Sequence, residues 1–204
     1  MLVNAQNLLV SELASSEDTR GNLNGLYVCP FGTVATDGHC LGAVTAPTDD
    51  PRDFPSIGDA ESQPPPAIVP VAAVKQALKN IPKKAAKQHP ILANVAVSGE
   101  NGSRRLVTTD LESTSPIDVK TREGSDFPDF QGCMPQTAPT FRIAFNAALL
   151  GKVLQTAARM SAKGVMLEFF DDPADGPGVK PVKITAELHD TGQSALFLVM
   201  PMRI

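Results

Sequence analysis

The sequence predicts an α+β fold in which a helix followed by a group of antiparallel strands occurs three times along the chain. Three observations carry this expectation. Thr33-Val34-Ala35-Thr36-Asp37 answers to Leu106-Val107-Thr108-Thr109-Asp110, and Asp53-Phe54-Pro55 answers to Asp126-Phe127-Pro128, both offset by 73 positions. Self-similarity at a fixed spacing reveals the building unit before any propensity does. Upstream of each Thr-Asp the apolar residues recur with strand-like spacing, and upstream of that lies a helical pattern. The remaining stretch, from about 140 onward, shows the same order of helix and then strands, and leaves no room for a dinucleotide-binding unit.

Taken in order, the first helix is expected over Asn4 to Ala14. Leu23-Asn24-Gly25-Leu26-Tyr27-Val28 then reads as a half-buried strand that turns at Pro30-Phe31-Gly32. The second helix covers Val71 to Asn80, entered through Pro70, whose fixed φ and missing N–H suit a first helical position. A strand over Ile91 to Val97 follows and turns at Glu100-Asn101-Gly102-Ser103, where Asn-Gly supplies the positive φ of a hairpin. The tighter first turn accounts for the small register change between copies. Asn146 caps a third helix that runs from behind Phe141-Arg142-Ile143-Ala144-Phe145 to about Ser161. Val165 to Phe170, Val182 to Leu188 and Ala195 to Met200 read as strands, with a turn-rich excursion from Asp171-Asp172-Pro173 to Gly178. Gln63-Pro64-Pro65-Pro66 and Gln136-Thr137-Ala138-Pro139 punctuate the chain into modules at about 1–66, 67–139 and 140–204.

With 204 residues, 42% hydrophobic and 20% charged, the chain can bury one substantial core or two small ones. A net charge of −4 and a pI near 5.3 argue against a surface that grips nucleic acid all round, so any DNA contact must come from a local basic face. Apolar runs such as Ala195 to Met200 fall far short of the roughly 20 residues that cross a bilayer. The N-terminus also lacks a basic segment followed by a long apolar stretch. A cytoplasmic location and no membrane partner are expected. Cys29, Cys40 and Cys133 are odd in number and lack metal-ligand spacing, which fits reduced thiols.

The third helix places Leu149, Leu150, Val153, Leu154 and Ala157 toward strands, with Lys152, Arg159 and Lys163 on another face. The second turns Val71, Val74, Leu78 and Ile81 inward and sets Lys75 and Lys79 one turn apart, followed by Lys83, Lys84 and Lys87. These bases suit either a solvated helix face or phosphate tracking; no aromatic residues are interleaved for base stacking. The first helix is acidic, with Glu12, Glu17 and Asp18 before Arg20.

No phosphate-binding glycine loop or zinc signature is present, since Leu150-Gly151-Lys152 lacks its upstream glycine and following hydroxyl. His39 and Cys40, beside Asp37, are adjacent; in a strand they would point to opposite faces, a poor arrangement for a base and its nucleophile. Asp49-Asp50 and Asp171-Asp172 beside prolines read as loop ends. Neither catalysis nor a cofactor is expected.

Val34-Ala35-Thr36-Asp37-Gly38-His39-Cys40-Leu41 resembles the V-A-T-D-G-H-R-L segment in the middle domain of bacterial beta sliding clamps, the beta subunits of DNA polymerase III. Asn22-Leu23-Asn24-Gly25, Asp126-Phe127-Pro128-Asp129-Phe130 with Met134-Pro135, and Leu198-Val199-Met200-Pro201-Met202-Arg203-Ile204 resemble three further elements of that family in the same order. The resemblance implies a DNA-clamp fold of one and a half clamp domains: a middle-type domain over 1–139 and a C-terminal half domain over 140–204. It further implies a hydrophobic pocket, between the middle and last domains, for the clamp-binding peptides of polymerases, the clamp loader and repair proteins. Its matching positions are Leu23, Thr36, Gly38, His39, Leu41, Pro135, Leu198, Met200, Pro201, Met202 and Arg203. Leucine and methionine suit such a groove because they re-pack around varied ligands. Channel-facing candidates for double-stranded DNA are Lys75, Lys79, Lys83, Lys152, Arg159 and Lys163. Cys40 departs from the family's usual arginine and removes a charge at the pocket rim.

The expectation is therefore a sliding-clamp-like processivity factor for replication or repair. It would encircle DNA if enough subunits assemble as a homo-oligomer. The alternative is a regulatory or decoy protein that occupies clamp-binding motifs without encircling DNA.

Overall fold

A computed structural model describes residues 1–17, 19–55, 64–100, 102–170 and 180–202. The chain forms two compact units, Met1–Met134 and Pro135–Ile204.

In the first unit β1 (Leu2–Asn4) runs into α1 (Ala5–Leu9), which tightens into a 3₁₀ turn at Val10–Leu13. Asn4 starts the helix through a reciprocal cap: its side chain accepts the Asn7 N–H and the Asn7 side chain accepts its own N–H. Then come β2 (Gly25–Cys29), β3 (Gly32–Thr36) and β4 (Leu41–Thr45). The plan recurs as β5 (Ala67–Pro70), α2 (Val71–Asn80), a short α3 (Ala85–Gln88), β6 (Asn94–Ser98), β7 (Ser103–Thr109) and β8 (Thr114–Lys120). A two-residue β9 (Arg122–Glu123) closes it.

Among the described residues of this unit all pairings are antiparallel, in two sheets of order β1-β6-β7-β8 and β4-β3-β2-β5-β9. The strand in front of each helix thus joins the sheet of the other module, with Leu2 opposite Ala96 and Ile68 opposite Tyr27. The two modules interlock through these strands, which periodicity does not reveal because three or four residues are too few to show an alternation. Val3, Leu8, Leu26, Val69, Val74, Val95, Val97 and Leu106 meet in one core built from α1, α2 and both sheets. Burying each such side chain contributes roughly 1.5–3 kcal/mol.

The helix and strand limits differ from expectation where short-range constraints intervene. The first helix is one α turn plus a 3₁₀ turn rather than a helix to Ala14. Pro70 is the last residue of β5 and the N-cap of α2, not its first helical residue. Pro90 sets a 3₁₀ turn over Pro90–Ala93, so the strand expected from Ile91 begins at Asn94.

Among its described residues the second unit has one helix, α4 (Ala147–Arg159), and the sheet β10-β11-β12, with β10 at Met166–Glu168, β11 at Val182–Leu188 and β12 at Gln193–Val199. The Asn146 side chain accepts the Ala148 and Leu149 N–H groups and starts the helix. Val182, Ile184 and Val199 form a small core with Ile143, Phe145, Leu150, Val153 and Phe197. Leu149 and Leu154, expected to pack on strands, are 56% and 38% exposed. They flank the apolar stripe, and a single three-stranded sheet covers only its middle. The excursion expected over Asp171 to Gly178 lies outside the described residues.

Candidate functional site

The first group of candidate residues surrounds the connection from β3 to β4. Thr36 Oγ1 donates to the Cys40 carbonyl at 2.6 Å and accepts the Gly38 N–H at 3.0 Å. Asp37 Oδ1 accepts the backbone N–H groups of His39 and Cys40, both at 2.8 Å, and the Cys40 thiol at 3.4 Å. Gly38 has φ +91°, a conformation that glycine adopts without a steric penalty.

The same device recurs one module later. Thr109 Oγ1 donates to the Ser113 carbonyl at 2.8 Å and accepts the Leu111 N–H at 3.1 Å. Asp110 Oδ1 accepts the Glu112 and Ser113 N–H groups and the Ser113 hydroxyl. The repeated Thr-Asp pair is thus a turn-building motif in both modules.

The Cys40 and His39 amides, in that order of effect, hold the Asp37 carboxyl down at about 2, so it is ionised at neutral pH. Lost hydration, then the hydrogen bond and charge of Asp37, push the Cys40 thiol up and keep it protonated as a donor. His39 and Cys40 stand in this turn rather than on a strand, with both backbone N–H groups committed to Asp37. Among the described residues no cluster of three or more metal-ligating side chains occurs.

Leu23 lies half-buried beside the turn, its Cδ1 3.8 Å from where a side chain on Gly38 would begin. Leu41 pairs with Thr36 across the hairpin and, like His39, is exposed. The fold therefore gathers Leu23, Thr36, Gly38 and Leu41 around one turn. Arg20, absent from the expected set, joins them: its Nη1 donates to the Asp37 carbonyl at 3.2 Å, and its Nε pairs with Glu17 at 2.9 Å. Its only sequence signal is its place as the first base after an acidic run.

The second group lies at the end of the second unit. Along β12, Phe197 and Val199 face the core while Leu196 and Leu198 face out, and Leu198 is 61% exposed. The alternation continues past the strand to Met200 and Met202, 58% and 49% exposed, so neither is a core residue. The Met202 N–H donates to the Ala144 carbonyl at 2.7 Å, which anchors the segment after half-buried Pro201. Pro135 is exposed near the start of this unit, and Arg203 lies outside the described residues.

The basic candidates are all exposed. Lys75 and Lys79 share the outer side of α2, Lys83 follows that helix, and Lys152 and Arg159 belong to α4. Lys163 lies beyond the end of α4, in the link to β10, rather than on a continuing helical face.

No protein-family model and no curated protein sequence matches the chain. Its fold is similar to that of DNA polymerase III subunit beta from Borrelia burgdorferi, solved in complex with a natural product. The TM-score is 0.55 at 15% identity, over 98% of this chain and 48% of that one. The chain has a mixed α/β, clamp-like fold with antiparallel sheets and spans about half the length of that subunit. No helix among the described residues is long and apolar enough to cross a membrane.

Proposed function

We propose that this chain is a sliding-clamp-like protein of DNA replication or repair that binds the clamp-binding peptides of polymerases and related partners. The observation that carries the reading is the exposed apolar row Leu196, Leu198, Met200 and Met202. An apolar row of this extent costs solubility and is characteristic of a surface that docks another protein. Its thioethers suit peptides of varied sequence. Pro135, Pro201 and Arg203 belong to the same candidate set. On the first unit, Leu23, Thr36, Gly38, His39 and Leu41 are the remaining candidate contact residues for the same class of ligand.

In this reading the architecture is one and a half clamp domains, three helix-plus-sheet modules, with domains over 1–139 and 140–204. Lys75, Lys79, Lys83, Lys152, Arg159 and Lys163 would face double-stranded DNA once several copies assemble. A second reading, a regulatory protein that occupies clamp-binding peptides without encircling DNA, is favoured by the net charge of −4 and exposed Glu12.

Fluorescence polarisation of a labelled clamp-binding peptide tests the docking function, with a scrambled peptide and the variants Leu198→Asp and Met202→Asp as controls. Saturable binding weakened at least tenfold by Leu198→Asp supports the reading. Equal affinity for the scrambled peptide, or no effect of either variant, overturns it. Salt-sensitive retention on circular but not linear DNA separates a clamp from a decoy.

A further inference from the structure

Within the first unit, each module is completed by the other. β5, the strand in front of α2, has β9 of its own module on one edge and β2 of the other module on its second edge. β1 and β6 make the reciprocal pair, and α1 packs against α2. The second unit contains the same parts once. The segment in front of α4 pairs through Ala144 with Met202, just beyond β12, as β5 pairs with β9 just beyond β8. Among the described residues the other edge of that segment carries no strand, and neither does the outer edge of β10, the counterpart of β2 and β6. α4 also exposes Leu149 and Leu154, one on each flank of its buried stripe, whereas α2 buries Ala73, Val74 and Ala77.

We propose that two copies of this chain associate through their second units about a twofold axis. Each lends β10 to the open edge of the other's Ile143–Phe145 segment, and α4 packs on α4 along the flank that carries Leu154. A second copy is the fitting occupant because the missing parts, a first strand with a free edge and a helix with an apolar flank, are the parts this unit itself presents. The first unit cannot supply them, since its β2 and β6 edges are already occupied by β5 and β1. Two complementary edges per unit make the contact isologous and closed, which ends assembly at a dimer on this surface. The pairing also removes exposed strand edges that would otherwise invite aggregation. At about 100° per residue, Leu154 lies on the side of α4 away from Lys152 and Arg159, so the packing does not bring like charges together.

The inference rests on the pairing inside this chain and not on peptide capture, so the two readings fail separately. The test is sedimentation of the full chain up to ~100 µM, for the unaltered protein, Leu154→Lys, and Leu196→Lys on the outward row of β12. Circular dichroism checks that each variant is folded. A dimer weakened roughly tenfold or more by Leu154→Lys and unchanged by Leu196→Lys supports the proposal. A monomer throughout the range, or a Leu154→Lys dimer as tight as the original, overturns it. Peptide binding lost in Leu196→Lys while its dimer persists would assign the two surfaces to two different tasks.

Discussion

The duplicated turn allows stability and function to be separated inside one molecule. Thr36→Val and Thr109→Val each remove a buried hydroxyl that donates to a carbonyl four residues on and accepts an amide two residues on. Two hydrogen bonds at ~0.5–1.5 kcal/mol each, partly replaced by water at an open turn, give a cost of about 1–2 kcal/mol for either substitution. Urea unfolding followed by the fluorescence of Tyr27 reads this cost in the first unit. Tyr27 is the sole tyrosine in a chain without tryptophan, and its ring stacks on Phe127 at 4.5 Å. The two midpoints should move together. Peptide affinity should not: Thr36→Val loosens the turn that presents Gly38, His39 and Leu41 and should weaken binding roughly fivefold, about 1 kcal/mol. Thr109→Val should leave affinity unchanged. Equal losses of affinity would refute the assignment of the Thr36 turn as a contact surface. Unequal losses of stability would refute the equivalence of the two turns.

Two further outcomes follow from the same unit. Asn7 is fully buried and its Nδ2 donates to the Thr45 carbonyl at 2.9 Å and to the Val44 carbonyl and Thr33 hydroxyl at 3.2 Å, tying α1 to β3 and β4. Asn7→Ala should cost about 3 kcal/mol through the partners left unpaired, read as a shift of the Tyr27 urea midpoint at unchanged slope. Asp37 titrates at about 2 in the folded chain against an ordinary 3.8, so its contribution to stability is complete above 3.8 and is lost as pH falls toward 2. Asp37→Asn should therefore flatten the stability profile within that acid window and leave its shape above pH 5 intact; an unchanged acid limb would count against the hydrogen bonds assigned to the carboxylate.

Much of the local structure was legible in the sequence because its causes are local. Asn146 satisfies the two amides that follow it, and Thr36 and Asp37 close their own turn, so the same letters in the same order give the same geometry at Thr109 and Asp110. β11 and α2 also carry their full periodicity and have the expected limits. The candidate site residues are legible only through the resemblance of their strings to the sliding-clamp family; the local pattern adds the turn at Thr36 and Asp37 and the alternation that ends in Met200 and Met202. Arg20 is legible in neither, because its contact with Asp37 spans 17 positions and depends on where the chain returns.

Tertiary structure decided what no short window contains. β1 and β5 are strands because a free edge of the opposite module is there to pair with them, and their three or four residues would not hold an extended conformation alone. Leu8 and Leu154 are both leucines on helices, yet Leu8 is buried and Leu154 is 38% exposed. The helical spacing is available to both; the difference is that two sheets and a second helix enclose the core around Leu8, while α4 has one three-stranded sheet. Hydrogen bonds between near neighbours are written in the sequence, whereas burial depends on how many layers the whole chain assembles around a side chain.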